Sequence, residues 1–138
     1  MKWSNLQVPL LVLLGALFVS IPLRGPISAE HPGITHTLLF KGMVPGTDEQ
    51  VIVWDTEYAP GAVNPRHLHP SAVTFHVLAG TGNWQEDGKP PVTLRAGDTM
   101  LAPAGTVHTH WNPSATEKLR FLELIVAKEG HDRSLPPP

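Results

Sequence analysis

Five of the chain's histidines crowd two short stretches: His67, His69 and His76 in the first, His108 and His110 in the second. Neutral imidazole is a ligand for most first-row transition metals. Residues two apart on a strand share a face, so His67 and His69 can point into one interior. A pair on one strand needs a third ligand from elsewhere to fix a geometry, and His108 is the candidate. A lone buried histidine is usually a core residue satisfied by hydrogen bonds. Three at these spacings point instead to a divalent transition metal (Fe, Mn, Ni, Cu or Zn). The chain has no cysteine, which removes thiolate ligands and disulfides from consideration.

The remaining histidines divide by parity and position. His110 shares parity with His108 and can act as a fourth ligand, as a catalytic acid or base, or as a rim residue beside Trp111. His76 has the opposite parity to Val73, Phe75 and Val77 and is expected to face away from the metal, toward a packed or subunit surface. His31, His36 and His131 lie outside both stretches and are expected to be exposed.

Short strands must carry these residues. Alternating apolar runs occur at 34–40, 51–58, 72–79, 92–94, 99–102, 106–111 and 119–127, rich in β-branched and aromatic types. Turn signals separate them at 44–48, 59–61, 79–82, 86–88, 96–98 and 103–105, drawn from the 15 Pro and 12 Gly of the chain. Gly61, Gly80, Gly97 and Gly105 read as turn residues needing positive φ or close backbone approach, and Pro103 shapes the turn into the strand of His108. Phe75, Met100, Leu101, Trp54 and Trp84 read as core, with an apolar pocket lining as the alternative. The tail from Gly130 to Pro138 is expected to be extended and frayed. No segment has a sustained helical period, so the fold class is all-β, a closed barrel or double sheet.

The two histidine stretches resemble the paired motifs of the cupin family. Residues 61–80 follow Gly-x5-His-x-His and end at Gly80. Residues 97–112 match Gly-x5-Pro-x-Gly-x2-His-x3-Asn at Gly97, Pro103, Gly105, His108 and Asn112. The likeness covers about residues 50–127 and is to small, single-domain, quercetin-dioxygenase-like members. It implies a double-stranded jelly-roll β-barrel with the metal inside, near one mouth, and pairing into a homodimer through outer strands. One position departs from the pattern: the carboxylate that usually follows the second histidine by four residues is replaced by Val73. The implied site is then His67, His69 and His108 alone, a set that leaves the metal's full charge for an anionic substrate or oxygen species.

The first residues read as an export signal. Lys2 is followed by an uncharged apolar run over 8–23, and a stretch ending in Ile27-Ser28-Ala29 precedes Glu30 as a tolerable small-residue cleavage site. The run is shorter than the roughly 20 residues of a spanning helix. Residues 1–29 are therefore expected to be a signal peptide and 30–138 one cupin domain, exported to the periplasm or beyond the cell, with no stable membrane span after processing. The formal charge of −2 and the scattered ten Lys and Arg argue against nucleic acid as a partner. Two functions fit: a metal-dependent dioxygenase-type enzyme on a small molecule, or a non-catalytic cupin that holds a metal or small ligand.

Overall fold

The computed structural model describes residues 31–131 and 133–138; the expected signal segment lies outside the described residues. Every regular element there is a strand: β1 (Ile34–Met43), β2 (Glu49–Tyr58), β3 (Val63–His67), β4 (Val73–Ala79), β5 (Thr81–Glu86), β6 (Val92–Arg95), β7 (Thr99–Ala102), β8 (His108–Trp111) and β9 (Leu119–Lys128). Among the described residues no helix is long and apolar enough to cross a membrane. Seven of the nine strands coincide with the apolar runs of the sequence. The other two, β3 and β5, carry little apolar character: Val63–His67 holds Asn64, Pro65 and Arg66, and Thr81–Glu86 begins inside a turn signal.

The strands form two antiparallel sheets, a five-stranded one in the order β1-β2-β9-β4-β7 and a four-stranded one in the order β3-β8-β5-β6. This is the jelly-roll expected of the sequence. Alternation along β9 shows how the larger sheet builds the interior: Leu119, Phe121, Glu123, Ile125 and Ala127 are buried and their neighbours face out. Ile34, Tyr58, Val73, Phe75, Val77 and Ala102 join them in the core, with Trp84 reaching in from the smaller sheet. Burial of this apolar area is the main force closing the sheets on each other. Leu101 is not part of it: its side chain lies on the outer face, 61% exposed.

Glycines set the corners. Gly80 joins β4 to β5 at φ 77°, and a Cβ there would overlap the carbonyl oxygen of Lys118. The C-terminal segment is extended but docked, which corrects the expectation of fraying. Leu135 and Leu68 exchange backbone hydrogen bonds of 2.9 and 3.1 Å beside the first histidine pair.

Candidate metal centre

His67 ends β3 and His108 begins β8, and the strands pair so that the two stand opposite each other. Asn64 stands opposite His110, and the register slips between these two pairs. The bulge lets Asn64 and His67 both be buried although they are an odd number of residues apart. Pro65 sits within the bulge of this edge strand, where its missing N–H costs no ladder hydrogen bond. His69 follows the strand, and its carbonyl accepts a hydrogen bond from the Gly105 N–H at 2.8 Å, tying the two histidine motifs together. The three rings gather closely. Centroids lie 4.3 Å apart for His67 and His108, 5.0 Å for His67 and His69, and 5.1 Å for His69 and His108.

Each of these rings is held the same way. The Nδ1–H of His67 donates to the Pro65 carbonyl, that of His108 to the Thr106 carbonyl and that of His69 to the Arg133 carbonyl, all at 2.7 Å. A carbonyl can only accept, so the proton is on Nδ1 and the lone pair on Nε2. The Nε2 atoms of His67 and His108 are buried and have no hydrogen-bond partner, and that of His69 is buried as well. A buried acceptor left unmatched costs about 1–3 kcal/mol, so such atoms imply a partner. Neutral imidazole nitrogens, oriented through Nδ1 by backbone oxygens, form the donor set a divalent transition metal requires.

The electrostatics agree. Burial lowers the pKa of His67 to about 4, against the opposing pull of its Pro65 hydrogen bond. Burial and then the neighbouring His67 lower that of His108 to about 3. Both are neutral at pH 7, as ligands must be.

His110 is close but differently engaged. One of its ring nitrogens lies within 4.8 Å of one on His67 and of one on His108. Distance alone would group these three, but hydrogen bonding separates them. Asn64 Nδ2 donates to His110 Nε2 at 3.3 Å, and His110 Nδ1 meets the Tyr58 hydroxyl at 2.9 Å. Nor is it a rim residue: it is 6% exposed and stacks 5.5 Å from both Tyr58 and Trp84. Burial, followed by the neighbouring His67, pushes its pKa well below the ordinary histidine value. His76 faces out, as its parity requires, bonded to Thr99 Oγ1 at 2.8 Å. The motif's last residue, Asn112, is a staple rather than a ligand: its Nδ2 donates to the carbonyls of Tyr58, Ala59 and Glu117.

A second polar cluster lines the interior that the sequence reading left apolar. Glu123, fully buried on β9, accepts from Thr56 Oγ1 at 2.9 Å and from Arg133 Nη2 at 2.6 Å and Nε at 3.0 Å. Burial alone would raise its pKa; the Arg133 guanidinium overrides this and holds it at about 2. His36, expected to be exposed, is buried against this group, its Nδ1 3.0 Å from Thr56 Oγ1. The parity of Glu123 with Phe121 and Ile125 is the signal that could have placed it inside. Arg133 also lines a cavity of about 350 Å³ with Lys41, Gln50, Ile52, Trp54 and His131. Among the described residues that line this cavity there is no carboxylate, and Arg133 belongs both to it and to the setting of His69.

The model of the cupin domain matches residues 54–125, which holds both histidine motifs. The chain belongs to the cupin family. Among curated relatives this cupin is 29% identical over 102 residues to auxin-binding protein T92 of Nicotiana tabacum, covering 67% of this chain and 54% of that protein. It is 32% identical over 82 residues to oxalate oxidase GF-2.8 of Triticum aestivum, covering 53% and 37%. The match thus spans about half or less of the length of these relatives. A cupin-like protein of Thermotoga maritima superposes with a TM-score of 0.58 at 27% identity, over 71% of this chain and 77% of that one. A cupin-2 domain protein of Rhodospirillum rubrum gives 0.63 at 23%, over 83% and 72%, a likeness of fold.

Proposed function

We propose that this cupin is an exported protein that binds one divalent transition metal through Nε2 of His67, His69 and His108, and that it carries out oxygenase-type chemistry on a small anionic molecule. The observation that carries this reading is the pair of buried, unmatched Nε2 atoms on His67 and His108, each ring locked through Nδ1 onto a carbonyl at 2.7 Å. A bound metal would supply a Lewis acid and, for iron, manganese, nickel or copper, a redox centre. The similarity to an oxalate oxidase supports the oxidative direction and a small carboxylate as the substrate class.

The chain's own groups define what enters. The cavity beside Arg133 offers Ile52 and Trp54 for an apolar body and Lys41 for a negative charge. Its volume suits a small molecule. Burial keeps His110 neutral and Tyr58 and Asn64 occupy both its nitrogens, which limits its use as the acid or base. That restraint, with Val73 packed in the core, favours a second reading in which the site binds metal and ligand without turnover.

The deciding experiment is metal analysis of the chain, expressed with its N-terminal segment and purified after export without chelators, beside His67→Ala/His108→Ala. Near-stoichiometric metal in the parent, lost from a variant that keeps its β circular-dichroism spectrum, is the expected result. Oxygen uptake with oxalate, phenolics, thiols or diketones then separates enzyme from binder. N-terminal sequencing of the same sample should begin at Glu30; an intact Met1 end would overturn processing at that site.

A further inference from the structure

Two of the three histidines are oriented by their own neighbourhood: His67 donates to Pro65 and His108 to Thr106, each two residues back. The third is not. His69 donates to the carbonyl of Arg133, 64 positions away in the C-terminal segment. That segment is fixed near the histidines by two devices. Its backbone pairs with the first motif at Leu68 and Leu135. Its Arg133 side chain, 15% exposed, enters the barrel and bonds both oxygens of the fully buried Glu123 at 2.6 and 2.9 Å through Nη2, and Oε2 again at 3.0 Å through Nε. Thr56 Oγ1 orients the same carboxylate from β2, and the guanidinium lies 5.7 Å over the Trp54 ring.

We propose that Glu123 and Arg133 form a positioning pair for the metal centre: the buried ion pair anchors the C-terminal segment so that the Arg133 carbonyl holds His69 in the Nδ1–H tautomer with Nε2 available to the metal. The inference rests on the metal reading above for its consequence, and on geometry alone for its tautomer. With the anchor gone, the Leu68–Leu135 pairing still keeps the segment near, but the Arg133 carbonyl is less firmly placed and selects the Nδ1–H tautomer of His69 less strongly. The centre would then keep two pre-arranged donors and one that must be ordered on binding. Loss of a partner that orients a metal-binding histidine typically lowers affinity by roughly 10–100-fold.

The test uses the full chain and replaces both members, Glu123→Met with Arg133→Met, so that no charge is stranded in the core. Arg133→Lys serves as the conservative control. In the metal-free protein, long-range proton–nitrogen NMR of the imidazoles should show the Nδ1–H tautomer for His69 in the parent and a mixture in the double variant, with His67 and His108 unchanged. Cobalt(II) titration should show a loss of roughly 10–100-fold in affinity, together with a visible spectrum shifted toward that of His69→Ala. In the His69→Ala background the Met pair should cost nothing further, because a residue acting through His69 is silent once His69 is gone; a merely structural role would still lower affinity. Arg133→Lys should recover part of the parent spectrum. A single Nδ1–H tautomer for His69 in the double variant, or unchanged cobalt affinity in a parent that binds cobalt, overturns the proposal. If the parent binds no cobalt while the tautomer still shifts, the metal reading fails and the positioning of His69 stands.

Discussion

The imidazole of His108 lies face to face with the indole of Trp84, ring centroids 3.8 Å apart and planes inclined by 23°. Trp84 stands on β5, paired with His110 on β8, and its ring also meets Phe75 from the larger sheet at 5.1 Å. One side chain thus roofs His108 and closes the two sheets together. Trp84→Ala removes both functions and should cost about 3–5 kcal/mol by chemical denaturation, as aromatic truncations in cores do. Trp84→Phe keeps much of the packing and should cost less than half as much. Isothermal titration of the two variants with zinc should rank affinity in the same order. A cost below 1 kcal/mol for the alanine variant would show that His108 is held without this stack.

Acid should unfold the metal-free protein through its histidines. Burial puts His67 at about 4 and His108 at about 3 in the folded chain, whereas an unfolded histidine titrates near 6.5. Between those values the unfolded chain binds more protons than the folded one, so stability is complete above about pH 6.5 and falls as pH drops toward 4 and 3. At about 1.4 kcal/mol per unit for each group, the loss is on the order of the whole stability of a small domain. Urea midpoints measured from pH 8 to 4 should fall steeply below pH 6, and His67→Ala/His108→Ala should flatten the slope. A metal that binds the neutral rings should move the acid transition to lower pH.

Much of this was legible in the residues. The strand runs announced seven elements, and the two motifs named the three histidines that share one hydrogen-bonding pattern. What escaped has a physical cause in each case. β3 was unreadable because Asn64, Pro65 and Arg66 occupy it, and only the pairing with β8 makes it a strand. Its bulge changes which residues share a face, so parity counted from His67 misplaces Asn64. Glu123 and His36 are polar residues at core positions, satisfied by a tail residue remote in sequence, and composition treats such residues as surface. The docking of that tail depends on Arg133 finding Glu123, a pairing that no local pattern encodes.

The β4–β5 corner should be intolerant of any side chain. Gly80 combines φ 77° with backbone so near that a Cβ would overlap the Lys118 carbonyl oxygen. Gly88 has a similar φ of 74° and nothing within 4 Å of where its Cβ would be. Gly88→Ala should therefore cost only the left-handed backbone penalty of about 1–2 kcal/mol. Gly80→Ala must displace backbone as well, shifting the start of β9 against β4, and should exceed it by several-fold or prevent folding. Thermal midpoints of the two variants provide the comparison. Equal shifts would mean that the chain relieves the Gly80 overlap at little cost.

The larger sheet shows an apolar row on its outer face, where the expected homodimer would pair. Phe40 pairs with Val53, Val53 with Leu124, Leu124 with Thr74, and Thr74 with Leu101, so one line of side chains crosses all five strands. Phe40, Leu124 and Leu101 are 54%, 42% and 61% exposed, while the nearby ion pair of Asp55 and Arg120 is satisfied within the chain. A face that is apolar in its middle and carries its charges already paired fits a second copy of itself, since a two-fold contact sets like residues against like. Leu101→Glu/Leu124→Glu puts four carboxylates into such an interface and should give a monomer in light scattering at micromolar concentration. Both positions are solvent-facing in one chain, so the fold and the cobalt affinity should be kept. A dimer that survives both glutamates would place the contact elsewhere and leave this row as an ordinary exposed strand surface.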